Sequence, residues 1–202
     1  MNDTIKTKRL RAMIGWLGML LPWIVVLLVG GFPSSISATW YTNACTPFMI
    51  ILGSAGILLM CYHGYDLVDD ILNTAAGIFG LGICLFPCWG GGHKAEDLVG
   101  TFLIKTELSN TIHSICALIF FAILAYNSLF QFTKGNSGTK NKKIRNVIYR
   151  ICGVGMLASF AILLLPDFRI QVWLTETIAL FFFGLSWLTK ADKYPWLFCD
   201  KD

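Results

Sequence analysis

The segment Thr106–Phe132 reads TELSNTIHSICALIFFAILAYNSLFQF. A polar entry is followed by about twenty almost uncharged apolar residues, which is the length that an α-helix needs to cross the hydrocarbon core of a bilayer. The only histidine of the stretch, His113, lies near the beginning of the apolar run. The stretch therefore predicts a transmembrane helix with a histidine near one end.

The composition of the whole chain points the same way. Of its 202 residues, 55% are hydrophobic and only 14% are charged, whereas about a quarter of the residues of a soluble domain are charged. The net charge of +4 is modest and unevenly spread, which indicates a topology signal and not a nucleic-acid partner. We expect a multi-pass protein of the cell (inner or plasma) membrane that has membrane lipids as partners and no cofactor.

Six apolar runs are long enough to be spans, at residues 13–31, 45–62, 71–86, 110–132, 147–165 and 172–188. With the N-terminus inside the cell, this layout places thirteen lysines and arginines in inside segments and three in outside segments, as the positive-inside rule requires. The predicted fold is an all-α integral membrane six-helix bundle of one domain, residues 1–202, with N- and C-termini cytoplasmic.

Small residues mark the second and third spans. The second span contains the sequence GSAG at Gly53–Gly56, and the third holds Ala75, Ala76, Gly77, Gly80 and Gly82. Small side chains let two membrane helices approach closely. We therefore expect the third helix at the centre of the bundle, away from lipid.

Four segments together resemble a family of small bacterial six-helix membrane proteins that is distantly similar to the Frag/DRAM group. They are YDLVDDILNTAAGIFGLGICLFP (Tyr65–Pro87), the fourth helix with its histidine, KIRNVIYRICG (Lys143–Gly153) and TETIALFFFGLSWLTK (Thr175–Lys190). The resemblance implies a six-helix membrane fold and transfers no catalytic role. A comparison with the CREST intramembrane hydrolases finds Ser54, His63 and Asp66 for the first part of their pattern, but the sequence has no His-x-x-x-His pair.

His113 and Glu176 are the sharpest candidates for a ligand site. We expect Ser109 or Asn110 to cap the fourth helix, so that His113 lies in its first turn, where the helix dipole favours a neutral imidazole. Glu176 enters the sixth helix from the same outer face, and an acid inside a span is a default functional-site hypothesis. The pair would bind a lipid head group, a small ion or a proton, with Glu107 at its mouth; the alternative is that each residue is structural.

A polar hinge that begins at His63 is predicted at the cytoplasmic face, where the carboxylates of Asp66, Asp69 and Asp70 interrupt the positive bias. These acids could pair with Arg145 or Arg150 and fasten the hinge to the fifth helix. The alternative is a divalent cation site, since carboxylates suit Mg²⁺ and Ca²⁺. No metal is assigned.

Three cysteines near the predicted outer face, Cys45, Cys84 and Cys88, could bind a metal, form a disulfide or simply pack. Cys84, Cys88 and His93 form a C-x₃-C-x₄-H pattern that lacks the fourth ligand of a structural zinc site. A disulfide between Cys45 and Cys88 would need an oxidising exterior. Simple packing is the third interpretation.

Three functions compete on this sequence. The leading one is a sensor or scaffold whose outer polar pocket binds a lipid head group or small ion, with a possible protein partner or homo-oligomer. The second is an intramembrane lipid hydrolase, possibly metal-dependent, and the third is a small ion or proton transporter that uses the same pair.

Overall fold

The computed structural model describes residues 3–135, 139–163 and 172–191, and within them the chain folds into six α-helices. In chain order they are α1 Asp3–Val29, α2 Cys45–Met60, α3 Leu67–Leu85, α4 Thr106–Tyr126, α5 Lys140–Leu163 and α6 Val172–Lys190. A 3₁₀ turn, Ser37–Tyr41, lies between α1 and α2, and a π-helical segment, Asn127–Gln131, continues α4. Two short antiparallel strands, β1 Leu98–Val99 and β2 Ile104–Lys105, precede α4.

The predicted helical fold with six helices is confirmed. In the described part of the chain, four helical stretches are long and apolar enough to cross a membrane, namely Ile5–Val29, Leu67–Leu85, Thr106–Gln131 and Val172–Lys190. The apolar helix α2 is shorter, with 16 residues. Residues 164–165 of the predicted fifth span, the connection 166–171 and the tail after residue 191 lie outside the described residues.

Four predicted helix starts were wrong because polar residues belong to the helices, and the first of them is that α1 begins at Asp3 and not at residue 13. Helix α3 begins at Leu67 and not at residue 71, since the Asp66 carboxylate accepts a hydrogen bond from the Asp69 N–H at 3.0 Å and caps the first turn. Helix α4 begins at Thr106, so neither predicted residue is its cap and His113 lies two turns inside. Helix α5 begins at Lys140, seven residues early, because Lys and Arg are good helix formers.

The six helices form a closed ring. Each helix packs against its neighbours in the sequence, and α1 packs against α6 to close the ring. We call the end where α1, α3 and α5 finish the upper end, which is the predicted outer face, and we call the opposite end the lower end.

Glycines set the closest approaches between helices. A Cβ built on Gly77 of α3 would lie 2.4 Å from the Gly56 carbonyl oxygen of α2, which is closer than real Cβ atoms come to another heavy atom, so the approach requires glycine at position 77. The same arrangement recurs between α1 and α6, where a Cβ on Gly184 would lie 2.7 Å from the Gly15 carbonyl oxygen. The predicted close approach of the second helix is therefore found at Gly56.

Aromatic side chains fill the lower half of the ring. Trp187 is fully buried, and its ring makes edge contacts with those of Tyr62 at 5.0 Å and Phe132 at 5.2 Å between centroids. Phe120 and Phe183 continue this cluster upward. The upper part of the ring is packed less completely, and the candidate site lies there.

Candidate functional site

Glu176 lies in the second turn of α6, against the connection between α1 and α2. One carboxylate oxygen accepts a hydrogen bond from the Ile36 N–H at 2.5 Å, and the other accepts one from the Ser37 hydroxyl at 3.0 Å. The backbone N–H of Trp173 donates a hydrogen bond to the Ser34 carbonyl oxygen at 3.1 Å. The connection therefore folds down onto the start of α6 and fixes the orientation of the carboxylate.

His113 is buried on α4 and bonded to the end of α3. Its Nδ1 lies 2.7 Å from the Phe86 carbonyl oxygen. A carbonyl can only accept, so Nδ1 carries the hydrogen, and in the neutral ring Nε2 is left as the acceptor. Because Phe86 follows α3 directly, the histidine satisfies a helix-end carbonyl and ties α4 to α3.

No hydrogen bond joins His113 to Glu176 among the described residues, but both line one cavity of about 660 Å³ at the upper end. Its polar walls are formed by Ser34, Ser35, Ser37, Asn110, His113, Ser114 and Glu176. Neither lysine nor arginine is among the described residues that line it. The volume is that of a pocket for a small molecule.

A second, smaller cavity of about 50 Å³ continues from the first into the centre of the ring. The two share Ser37, Ala117, Phe160 and Glu176 as lining residues. All six helices contribute to its walls, which are apolar apart from Ser37 and Glu176. Glu176 thus lies where a polar upper chamber meets an apolar inner chamber.

Glu107, predicted at the mouth of the site, is exposed at the start of α4 and lines neither cavity. Its backbone N–H donates to the Ala95 carbonyl at 3.3 Å, which joins it to the loop before β1. Glu107 therefore serves as a charge-matched control for Glu176.

The predicted lower hinge is built mainly of helix-capping contacts. Asp66 caps α3 and also accepts a 2.6 Å bond from the Lys134 ammonium, which lowers the pKa of its carboxyl below the usual range. Asp70 accepts a 2.6 Å bond from the Gly64 N–H and faces the exposed His63 at 3.4 Å. An ion pair with Lys134 thus fastens the hinge, and the pairing with Arg145 or Arg150 stays a prediction.

Asp69 is fully buried and begins a polar network that the sequence analysis missed. Its carboxylate accepts bonds from the Tyr65 N–H at 2.9 Å and the Asn73 amide at 2.7 Å. The Asn73 oxygen accepts from the Asn127 amide at 3.1 Å. The network crosses from α3 to the π-helical segment that continues α4. The asparagines Asn73 and Asn127, which stand inside apolar runs of the sequence, could have predicted it.

The described part of the chain contains no group of three or more His, Cys, Asp and Glu side chains positioned for a metal ion. The three residues of the C-x₃-C-x₄-H pattern have separate partners: the Cys84 thiol points to the Met49 carbonyl, Cys88 lines the upper cavity, and His93 lies against Tyr41. The Cys45 and Cys88 thiols are both free. Burial, and then the charge of Glu176, raise the pKa of the Cys88 thiol to about 12.

Comparison with models of known protein families, with characterised proteins and with solved structures finds no match for this chain. The site is therefore interpreted from its own geometry, and the resemblance drawn from the quoted segments stays a prediction.

Proposed function

We propose that this chain is an integral membrane protein of six spans, with both termini cytoplasmic, that binds the head group of a membrane lipid in its upper cavity. The apolar helices support the membrane assignment. So do apolar side chains on the outside of the ring, such as Leu27, which is 80% exposed, and Leu118, which is 61% exposed. Such side chains are costly in water and ordinary in lipid.

The single observation that carries the lipid proposal is the position of Glu176 between two chambers of different polarity. The upper chamber offers hydroxyl, amide and imidazole groups for a head group, and the inner chamber offers apolar walls for the start of an acyl chain. Amphiphiles have this same division of polarity. A buried carboxylate, held by hydrogen bonds from Ile36 and Ser37, still has acceptor capacity and so favours a ligand that donates hydrogen bonds.

The packing below Glu176 favours binding over transport. Along α6, the buried side chains Leu180 and Phe183 lie between Glu176 and the lower polar residue Ser186. Phe120 of α4 lies opposite, with its ring centroid 6.5 Å from that of Phe183. An ion or proton carrier needs a polar route at this level, so the carrier stays the weaker proposal.

Lipid extraction followed by mass spectrometry of the detergent-purified protein tests the proposal. The wild type should retain a specific lipid at about one molecule per chain after delipidation, and Glu176→Gln should retain at least about fivefold less. Glutamine keeps the size of the side chain and still accepts from the Ile36 N–H, so the variant should fold, which circular dichroism verifies.

Glu107→Gln is the matched control, since it removes the same charge from an exposed position outside the cavity. It should retain lipid at the wild-type level. If the wild type holds no lipid in excess of a membrane protein of similar size, or if Glu176→Gln retains as much as Glu107→Gln, the upper cavity is not a lipid site.

A further inference from the structure

We propose that the ligand of the upper cavity is a single-chain amphiphile with a primary amine head group, and that it enters sideways from the membrane between α4 and α5. This inference rests on the lipid-binding function proposed above. It adds the charge of the head group, the number of chains and the route of entry.

The charges of the cavity select the head group. Glu176 is the one carboxylate among the described lining residues, and none of those residues is a lysine or arginine that could balance a phosphate or a second carboxylate. An unpaired carboxylate inside a bilayer is expensive, and a cation held against it removes most of that cost. An anionic head group would instead add a second uncompensated charge.

The remaining acceptors suit an ammonium group. A primary ammonium has three N–H donors and no acceptor. The carboxylate of Glu176 has lone pairs beyond those that Ile36 and Ser37 use, and the same cavity is lined by His113 and Ser114, which carry further acceptors in Nε2 and the hydroxyl. These groups offer three or more acceptors without any competing cation.

The narrow inner chamber selects a single chain. Its volume is about 50 Å³, and Leu21, Phe48, Leu52 and Phe120 are among its apolar walls. Space of this size admits a few methylene groups of one alkyl chain after small movements of the side chains, and it excludes two chains side by side.

The entry route follows from where α4 and α5 touch. In the lower half they are in close contact, because a Cβ on Gly153 would lie 2.4 Å from the Leu129 side chain. At mid-height the rings of Phe121 and Phe160 meet at 4.6 Å between centroids. Above these rings, the cavity lies between the two helices.

Residues on both sides of the two rings reach both the cavity and the outside of the helical ring. Leu118 of α4 and Leu157 of α5 line the cavity while 61% and 47% of their surfaces are exposed. Ser114 and Ala161, which also line it, are small and exposed. The cavity therefore opens through the side of the bundle that faces the lipid.

Photolabelling of the full chain in phosphatidylcholine vesicles tests the inference. The probes are three C18 chains with the same diazirine, which end in an amine, an alcohol or a carboxylic acid. The amine should label the cavity peptides at least about tenfold more than the acid. Glu176→Gln should reduce the labelling by the amine to the level of the alcohol, while Glu107→Gln leaves it unchanged.

Two tryptophan variants of α5 test the route. Ala161→Trp fills the opening and should slow the initial rate of amine labelling by at least about fivefold. Ala158→Trp places the same bulk at an exposed position outside the cavity lining and should not change the rate. Equal rates for the two variants would overturn lateral entry.

The outcomes separate this inference from the function on which it rests. Labelling of the cavity by all three probes equally, or by the acid most strongly, would overturn the amine head group and leave lipid binding in place. Labelling of the cavity by none of the probes would overturn the single-chain amphiphile, and it would overturn lipid binding as well only if the purified protein also retains no lipid. Cavity labelling by the amine that survives Glu176→Gln would overturn the charge argument.

Discussion

Replacing Gly77 by alanine should destabilise the bundle, because it forces α2 and α3 apart. The new Cβ would lie 2.4 Å from the Gly56 carbonyl oxygen and 2.4 Å from the Met60 side chain. Side-chain Cβ atoms do not approach other heavy atoms more closely than 3.0 Å, so the two backbones must separate by about 0.6 Å. Unlike a flexible side chain, the carbonyl cannot move aside without its helix.

The expected cost is a balance of two terms. Overpacking of this kind costs about 3 kcal/mol at the upper end of its usual range, and alanine regains about 1 kcal/mol over glycine inside a helix. The net loss of about 2 kcal/mol should lower the unfolding temperature by about 4–8 °C. Thermal unfolding in detergent, followed by tryptophan fluorescence, measures it because Trp187 is buried.

Gly53→Ala is the matched control on α2. A Cβ there would lie 3.9 Å from the nearest Leu81 atom, which is ordinary contact. Its unfolding temperature should equal or exceed that of the wild type. A Gly77→Ala protein that melts at or above the wild type, or two variants that shift equally, would refute the close approach of α2 and α3.

His113→Leu leaves the carbonyl that ends α3 without its donor and should lower the free energy of unfolding by about 1–3 kcal/mol; His113→Asn, which can still donate, should recover part of the loss in the same thermal assay. The bond from Lys134 holds the pKa of Asp66 below its usual value, so the stability it contributes is present at neutral pH and is lost as the pH falls below about 4. Asp66→Asn keeps a helix cap and should flatten the dependence of melting temperature on pH over that range, whereas an unchanged profile would exclude the ion pair as its source. Single cysteines at Lys94 and Lys140 should react with an impermeant maleimide from opposite sides of the membrane, and reaction of both from one side would contradict the predicted topology.

The helices could be predicted from the sequence, and so could the starts of α2 and α6, but the other helix starts could not. Apolar runs have the length of helices and mark the interior of each one. Polar residues at the ends contribute no hydrophobic signal, although Asp66 caps a helix and Lys140 begins one. The boundaries therefore shifted wherever a charged stretch was also a good helix former or cap.

The two principal site residues could be placed at the same end of the bundle, but their partners could not be found. Helix direction and depth bring His113 and Glu176 to one cavity wall. Their hydrogen bonds go to the backbone of Phe86 and Ile36, which lie 27 and 140 residues away in the chain. Every residue carries the same backbone groups, so the residue type at positions 86 and 36 gives no sign of these hydrogen bonds.

The contact that closes the ring has a consequence for how the protein is made. The glycine face of α1, at Gly15, matches Gly184 of α6, yet the ribosome synthesises four other helices before that partner exists. During this interval the glycine face of α1 can contact only lipid or an insertion factor. If translation is stalled before α6, the first helix should therefore still be able to bind an insertion factor. Once α6 has been synthesised and released, it should occupy the glycine face of α1 and end that binding in one step.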